Sequence, residues 1–338
     1  MNVTAIKDRQ VWDNFATAQK PNTFLQSWQW GQVQLRDGEG VRYLGFFEHG
    51  EQVAAALAIT VHARRGNFYL IPHGPVFTPR ANQALVIQTL LEYLKKSASQ
   101  DNVVCMRVAP LLVTTEAAAK IFRDAGFRPA PMHIHVELTW ILDINKPEEE
   151  LLGGMRKTTR HAITKGSRNI QVDIETSLAG FDRFWPLYQA TKSRHNFVPF
   201  TAGFIRSQII EFGKTNDVYI PIARYEGKDV AAAIIMKSND TVFYYHGASL
   251  KLPANIPAAH VLHWESIKEA KRRGATRYNF WGVAPDNQPR HPFAGITIFK
   301  KGFGGQAIDY LHAQDFPFTP AYWKLWIVET IRKMKRGF

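Results

Sequence analysis

One phrase is written twice in this chain. Gly50-Glu51-Gln52-Val53-Ala54-Ala55-Ala56-Leu57 returns as Gly227-Lys228-Asp229-Val230-Ala231-Ala232-Ala233-Ile234. Each copy follows an aromatic, strand-like stretch, Phe46-Phe47 in the first and Tyr225 in the second. Each leads into a further apolar run that ends in Phe-Tyr and then His-Gly: Phe68-Tyr69 to His73-Gly74, and Phe243-Tyr244 to His246-Gly247. A glycine turn between two apolar runs is a hairpin signal. Copies this far apart do not make a solenoid, whose repeats run about 20–50 residues. They predict a duplicated domain with a cleft where the halves meet, and clefts between domains are favoured ligand sites.

The length permits that organisation: 338 residues suffice for two domains, each with its own core. Hydrophobic residues at 45% and charged residues at 21% exclude a disordered chain. Lys and Arg number 42 against 29 Asp and Glu, leaving +13 and a pI near 9.7. Such an excess favours polyanionic partners, whether nucleic acid, phosphorylated substrates or an anionic membrane face; a basic protein without such a partner has the same composition. The single cysteine, Cys105, lies in the apolar run Val103-Val104-Cys105-Met106 and reads as a buried small hydrophobe. One cysteine excludes an internal disulfide and a thiolate metal cluster. Met1 to Asp8 lacks the apolar core of a secretory signal, and no apolar run approaches the roughly 20 residues that span a bilayer. A cytoplasmic protein is expected.

In the first half, strand hairpins lead to a helix over 82–96, an apolar strand over 103–108 and a helix over 116–125 stopped by Gly126, with a further strand from Phe127. The second half repeats the logic: a helix over 178–192, polar-aromatic loop residues, hairpin strands over 218–249, a helix over 258–273 stopped by Gly274, and a strand over 278–281. Strands and helices mixed in this order predict an α/β (α+β) fold. The segment from Asn145 to Arg168 opens with Glu148-Glu149-Glu150, as a helix start prefers, and then turns basic with Arg156, Lys157, Arg160, Lys165 and Arg168. The domain boundary is placed near Asp143 to Gly154, giving domains 1–150 and 151–338. Residues 322–336 read as a basic helix whose Trp323, Trp326, Ile327 and Ile331 share a face. That stripe is expected to dock on its own domain; a surface for nucleic-acid phosphates or anionic lipid is the sharper alternative. His133 and His135 alternate as on a strand, but no third ligand accompanies them, so no metal site is expected.

The segment richest in chemistry runs from Tyr278 to Gly305. It holds Tyr278-Asn279-Phe280-Trp281-Gly282 and then Gly295-Ile296-Thr297-Ile298-Phe299-Lys300-Lys301-Gly302-Phe303-Gly304-Gly305. Glycine lets a backbone approach a ligand closely, and a lysine held among aromatics can stabilise an oxyanion or a phosphate. A glycine-rich hairpin with solvated lysines would read the same way.

Phe299-Lys300 before Gly302-Phe303-Gly304-Gly305 resembles the terminal signature of the Fem aminoacyltransferases, the FemABX family. Gly247-Ala248-Ser249, Ile256-Pro257-Ala258, Trp264-Glu265, Ala270 with Gly274, and Phe280-Trp281-Gly282 match it as well, as do Phe24-Leu25-Gln26-Ser27-Trp28, Trp30-Gly31 and His73-Gly74-Pro75. The resemblance covers nearly the whole chain. It implies two tandem GNAT-like (acyl-CoA N-acyltransferase-like) domains with an inter-domain cleft, of the compact type without a coiled-coil arm. It also implies transfer of an amino acid from aminoacyl-tRNA to the stem-peptide amine of a peptidoglycan precursor, UDP-MurNAc-pentapeptide or lipid II, by a monomer that contacts the anionic inner face of the membrane at most peripherally. An aminoacyl ester is already activated, so no cofactor is expected, and catalysis reduces to positioning and oxyanion stabilisation.

Residue by residue, the resemblance assigns Lys300, with Phe299 beside it, to the tRNA acceptor end and the oxyanion. Arg194, with Thr191, resembles the grip on the precursor's phosphates, and Tyr244 or Tyr245 stands where the family places a substrate-binding tyrosine. Trp30 and Gly282 belong to substrate-binding elements, and Arg156, Arg160 and Lys301 to a tRNA surface. Two departures stand out. Ala109 occupies the place of a carboxylate before Pro110, a proposed general base, and Gln34 that of a precursor-binding lysine, with Arg36 as the substitute at hand. An acyl-CoA N-acyltransferase is the first rival, but neither Arg123 to Arg128 nor Arg224 to Asp229 completes the pyrophosphate-cradling pattern. A non-catalytic RNA- or membrane-binding protein is the second; such a protein could dispense with Lys300.

Overall fold

The structure is a computed structural model and describes residues 1–195, 198–289 and 291–336. It divides into two compact units: Met1–Leu138 together with the chain from Asp309, and Thr139–Ile308.

The first unit opens with β1 (Asn2–Ala5), α1 (Arg9–Ala16), a 3-10 turn at Phe24–Gln26 and α2 (Trp28–Arg36). It continues through β2 (Gly40–Glu48), β3 (Glu51–Val61), β4 (Asn67–Pro72) and the short β5 (Val76–Phe77). Then follow α3 (Gln83–Lys95), β6 (Val103–Ala109), α4 (Glu116–Asp124) and the two-residue β7 (Arg128–Pro129). Short polar side chains start the helices: Asp8, Ser27, Asn82 and Thr115 each accept a first-turn backbone N–H. Helices α1 and α2 lie where strands were expected. Gln26 explains the Phe-Leu-Gln-Ser-Trp motif as architecture: its amide donates to Pro72 O (2.7 Å) and accepts from Leu57 N (2.7 Å), satisfying backbone groups where β3 and β4 diverge.

The second unit comprises β8 (Leu138–Asp143), α5 (Glu148–Gly154), α6 (Lys157–Gly166), β9 (Ile170–Glu175), α7 (Leu178–His195) and α8 (Ala202–Gly213). Then come β10 (Val218–Tyr225), β11 (Lys228–Ser238), β12 (Thr241–Ser249), α9 (Ala258–Arg272), β13 (Arg277–Gly282), α10 (Ala294–Lys301) and β14 (Gln306–Asp309). The polar-aromatic stretch expected to be loop contains α8, capped by Thr201.

The repeat is structural. His49-Gly50 and Glu226-Gly227 both adopt positive φ (49° and 83°; 49° and 76°), the pair a two-residue hairpin needs. The register slips between Phe46 and Phe47 in one hairpin and between Ala223 and Arg224 in the other, the same distance before the turn glycine. In each unit a helix then crosses to a parallel neighbour, α3 between β4 and β6, and α9 between β12 and β13. Strands β3 and β11 are Ala/Val/Ile-rich and buried on both faces, as strands covered by helices must be.

The remaining chain, β15 (Gln314–Pro317) and α11 (Tyr322–Arg336), returns to the first unit. Strand β15 pairs with β6 on one side and β7 on the other, giving the order β1-β2-β3-β4-β6-β15-β7, with β5 on β3. The second sheet runs β14-β8-β13-β12-β11-β10-β9. The expected division at 150/151 is therefore corrected in two places. Strand β8 belongs to the second sheet, and the C-terminal segment belongs to the first.

Buried charge fixes that return. Arg107 on β6 makes a bidentate pair with Asp315 on β15 (2.6 and 2.7 Å) and reaches Glu329 on α11 (2.8 Å), whose other oxygen meets Arg65 (2.8 Å). Tyr322 donates to Asp315 (3.1 Å). The docked face of α11 is thus Tyr322, Leu325 and Glu329, and the expected stripe is corrected: Trp323, Ile327 and Ile331 are exposed. His133 and His135 sit in an irregular segment rather than on a strand.

Two buried histidines set an acid limit. His73 lies 3.2 Å from Thr23 Oγ1 and His246 lies 2.9 Å from Gln208 Oε1; burial lowers them to about 4 and about 3. The unfolded chain binds these protons below about 6.5, and the folded chain does not. Stability therefore falls as pH drops from 6.5 toward those values, by about 2 kcal/mol per histidine at pH 5. The urea midpoint should drop clearly between pH 7 and pH 5; an unchanged midpoint would contradict this.

Candidate active site

The second unit brings the glycine-rich segment together around one amine. Residues 294–301 are helical as α10, so the lysine sits on a rigid element rather than a solvated hairpin. Lys300 is 4% exposed, and its Nζ donates to Gly282 O at 2.6 Å. That carbonyl is turned by an irregular end to β13. Trp281 takes φ 66°, unusual for a bulky side chain, and the register with β8 slips between Asn279 and Gly282. Asn279 Oδ1 holds the distortion by accepting from Trp281 N (2.7 Å) and Thr139 Oγ1 (2.5 Å). Thr297 ties α10 to the same loop, accepting from Ala284 N at 2.7 Å.

Aromatic rings wall the amine's neighbourhood. Phe299 and Phe303 pack with His260 and His263 at centroid distances of 4.9–6.1 Å, and Tyr244 lies 4.3 Å from His263. His263 Nδ1 is 3.1 Å from Tyr278 Oη. Burial brings Lys300 down to about 7. It also holds His263 well below its ordinary value, with the Lys300 charge adding to the effect, and raises Tyr244 to about 12. The result is a buried amine in surroundings poor in fixed charge. His263 was missed in the sequence; nothing marks it there beyond a histidine on a helix's apolar side.

The structure separates the two candidate tyrosines. Tyr244 stands beside His263, while Tyr245 is the bulged residue of β12, packed on Trp281 (5.5 Å), His246 and Phe200. A Cβ at Gly247 would overlap the Tyr244 hydroxyl, which accounts for the glycine. At the end of β12, Ser249 gathers Thr191 and Arg194. Arg194 Nη1 donates to Ser249 O (2.8 Å), and Thr191 Oγ1 accepts from Ser249 N (2.9 Å). Lys301 pairs with Asp286 and lies 5.3 Å over the Trp140 ring. Arg156 is exposed beside α6, but Arg160 turns inward and donates to the carbonyls ending α5, Gly153 O at 3.0 Å among them. Gly305, at φ 96°, brings its backbone against Ile141 O, where a Cβ would overlap. In the first unit, Trp30 and Gln34 are buried in the packing of α2, and Arg36 is exposed. Among the described residues no cluster of His, Cys, Asp or Glu could hold a metal ion.

Two units of shared topology, each with one parallel strand pair bridged by a helix, define a tandem GNAT-fold protein, and residues 153–289 match the acetyltransferase (GNAT) domain family. Residues 8–125 match the FemAB family. Aminoacyltransferase FemA of Staphylococcus epidermidis is 25% identical over 107 residues, 32% of this chain; the matched stretch spans a quarter of that relative's length. The lipid II:glycine glycyltransferase of Staphylococcus saprophyticus is 20% identical across 98% of this chain and 95% of its own. The crystal structure of FemX superposes with a TM-score of 0.85 at 16% identity, covering 96% of this chain and 99% of that one. The amino-terminal half of the chain is thus similar in sequence to the Fem aminoacyltransferases, and the whole chain shares the fold of FemX.

Proposed function

We propose that the protein is a tRNA-dependent aminoacyltransferase that moves an amino acid from aminoacyl-tRNA to the stem-peptide amine of a peptidoglycan precursor, UDP-linked or lipid-linked. The observation that carries this reading is Lys300: a buried amine at the end of α10, fixed by Gly282 O, in a chain whose relatives are named aminoacyl- and glycyltransferases.

The reaction needs an attacking amine to lose a proton, the ester carbonyl to become a tetrahedral oxyanion, and the tRNA ribose oxygen to leave with a proton. As an ammonium, Lys300 stabilises the oxyanion. As an amine, available because its pKa lies near 7, it can take the proton of the attacking nitrogen, a task Ala109 cannot perform. Tyr244, beside His263, orients the acceptor. Arg194, braced on Ser249, meets the precursor's phosphates, and exposed Arg156 meets tRNA. Arg160 supports α5 instead, and Lys301 must leave Asp286 before it can bind RNA. A lipid-linked acceptor places this work at the inner face of a membrane. The acyl-CoA alternative finds little support: residues 250–257, leading into α9, contain no glycine, and Pro253 and Pro257 lack the N–H a pyrophosphate cradle uses.

Incubating the protein with a charged tRNA pool and UDP-MurNAc-pentapeptide should yield a precursor heavier by one or more amino-acid residues in mass spectra; an unchanged precursor with either acceptor type would overturn the proposal. Aminoacyl-tRNA affinity should also fall by at least about tenfold between 50 and 200 mM salt, because bound phosphates release counterions. A flat response would remove tRNA as donor.

A further inference from the structure

Helix α11 carries its apolar residues on two opposite faces, only one of which the fold uses. Tyr322, Leu325 and Glu329, spaced three and four apart, are buried against the first unit. Trp323, Ile327, Ile331 and Met334, spaced four, four and three, are 46%, 52%, 42% and 71% exposed and form a ridge on the side away from the core. A helix held by one face normally presents charge on the other; this one presents large apolar side chains.

The charges lie where a lipid interface would want them. On the helical wheel Lys324 and Lys335 border one edge of the ridge, and both are exposed. The helix's single acid, Glu329, is buried on Arg107 and Arg65, so it adds no negative charge to the outer surface. Arg128 lies 4.9 Å over the Trp323 ring, adding a cation at the start of the ridge. An apolar ridge with lysines along one edge and Arg128 at its start suits a helix lying in the plane of a bilayer, with the lysine stems snorkelling to anionic headgroups. RNA offers phosphates but no apolar bed for Ile327, Ile331 and Met334. No helix of the described chain is long and apolar enough to cross a membrane, so this contact is one of surface docking.

We propose that the outer ridge of α11 docks the protein on an anionic phospholipid surface. The geometry is that of the first unit alone and does not depend on the role given to Lys300. The test is sedimentation of the full chain with vesicles. Binding is expected to phosphatidylcholine vesicles containing phosphatidylglycerol and much less to phosphatidylcholine alone. Ile327→Asp with Ile331→Asp, at exposed positions, should weaken it by about tenfold or more, and Lys324→Gln with Lys335→Gln should weaken it on anionic vesicles. Transfer to a soluble UDP-linked acceptor should be unchanged in both variants, which separates this surface from the catalytic reading. No sedimentation of the wild-type chain, equal binding by the isoleucine variant, or a ridge variant that loses tRNA affinity but keeps vesicle binding would each overturn the proposal.

Discussion

Lys300→Ala should lower aminoacyl transfer by about 10²–10³ in kcat, the usual cost of removing one oxyanion donor. Precursor binding should persist, because the residues proposed to grip it, Arg194 and Thr191, lie on α7 and are held by Ser249 instead. The fold should tolerate the change, which leaves Gly282 O without its donor. Lys300→Met, which keeps the stem and its packing, separates the roles. If the amine matters, methionine is as inactive as alanine; if Lys300 only fills space, methionine restores turnover. Unchanged kcat in both variants would remove Lys300 from the mechanism.

Arg107→Ala should destabilise the first unit by about 3–5 kcal/mol, because it leaves buried Asp315 with no cationic partner and takes one of Glu329's two cations. That corresponds to a loss of about 10 °C in Tm for a unit of this size. The effect should shrink at low pH, where the stranded carboxylate can protonate, and calorimetry at pH 7 and pH 5 would show it. A loss under about 1 kcal/mol at pH 7 would mean that β15 and α11 are held by apolar packing alone.

Much of this was legible because the sequence repeats local chemistry. The turn glycines Gly50 and Gly227, the Ala-rich strands after them and the glycines closing α4 and α9 each act within a few residues, so pattern alone locates them. Phe299 and the glycines after Lys300 single it out in the sequence, but its burial on Gly282 O is not visible there. What escaped depends on distant partners. That α11 buries Glu329 rather than Trp323 follows from Arg107 on β6 and Arg65 beyond β3, and nothing near residue 329 announces them. Arg160 reads as part of a basic surface until α5 ends beneath it and needs a donor. His263 gains meaning only when α10 places Lys300 beside it, and the choice between Tyr244 and Tyr245 turns on a bulge that spacing cannot reveal.

The place of β15 carries a consequence for synthesis on the ribosome. Strands β6 and β7 are made well before the partner that lies between them. At about 5–20 residues per second, the nascent amino-terminal sheet waits roughly 10–40 s with an open seam. Everything the second sheet requires has emerged before β15 does. The later-made half can therefore mature first, and the opened seam in the earlier one marks where a nascent-chain chaperone would be needed.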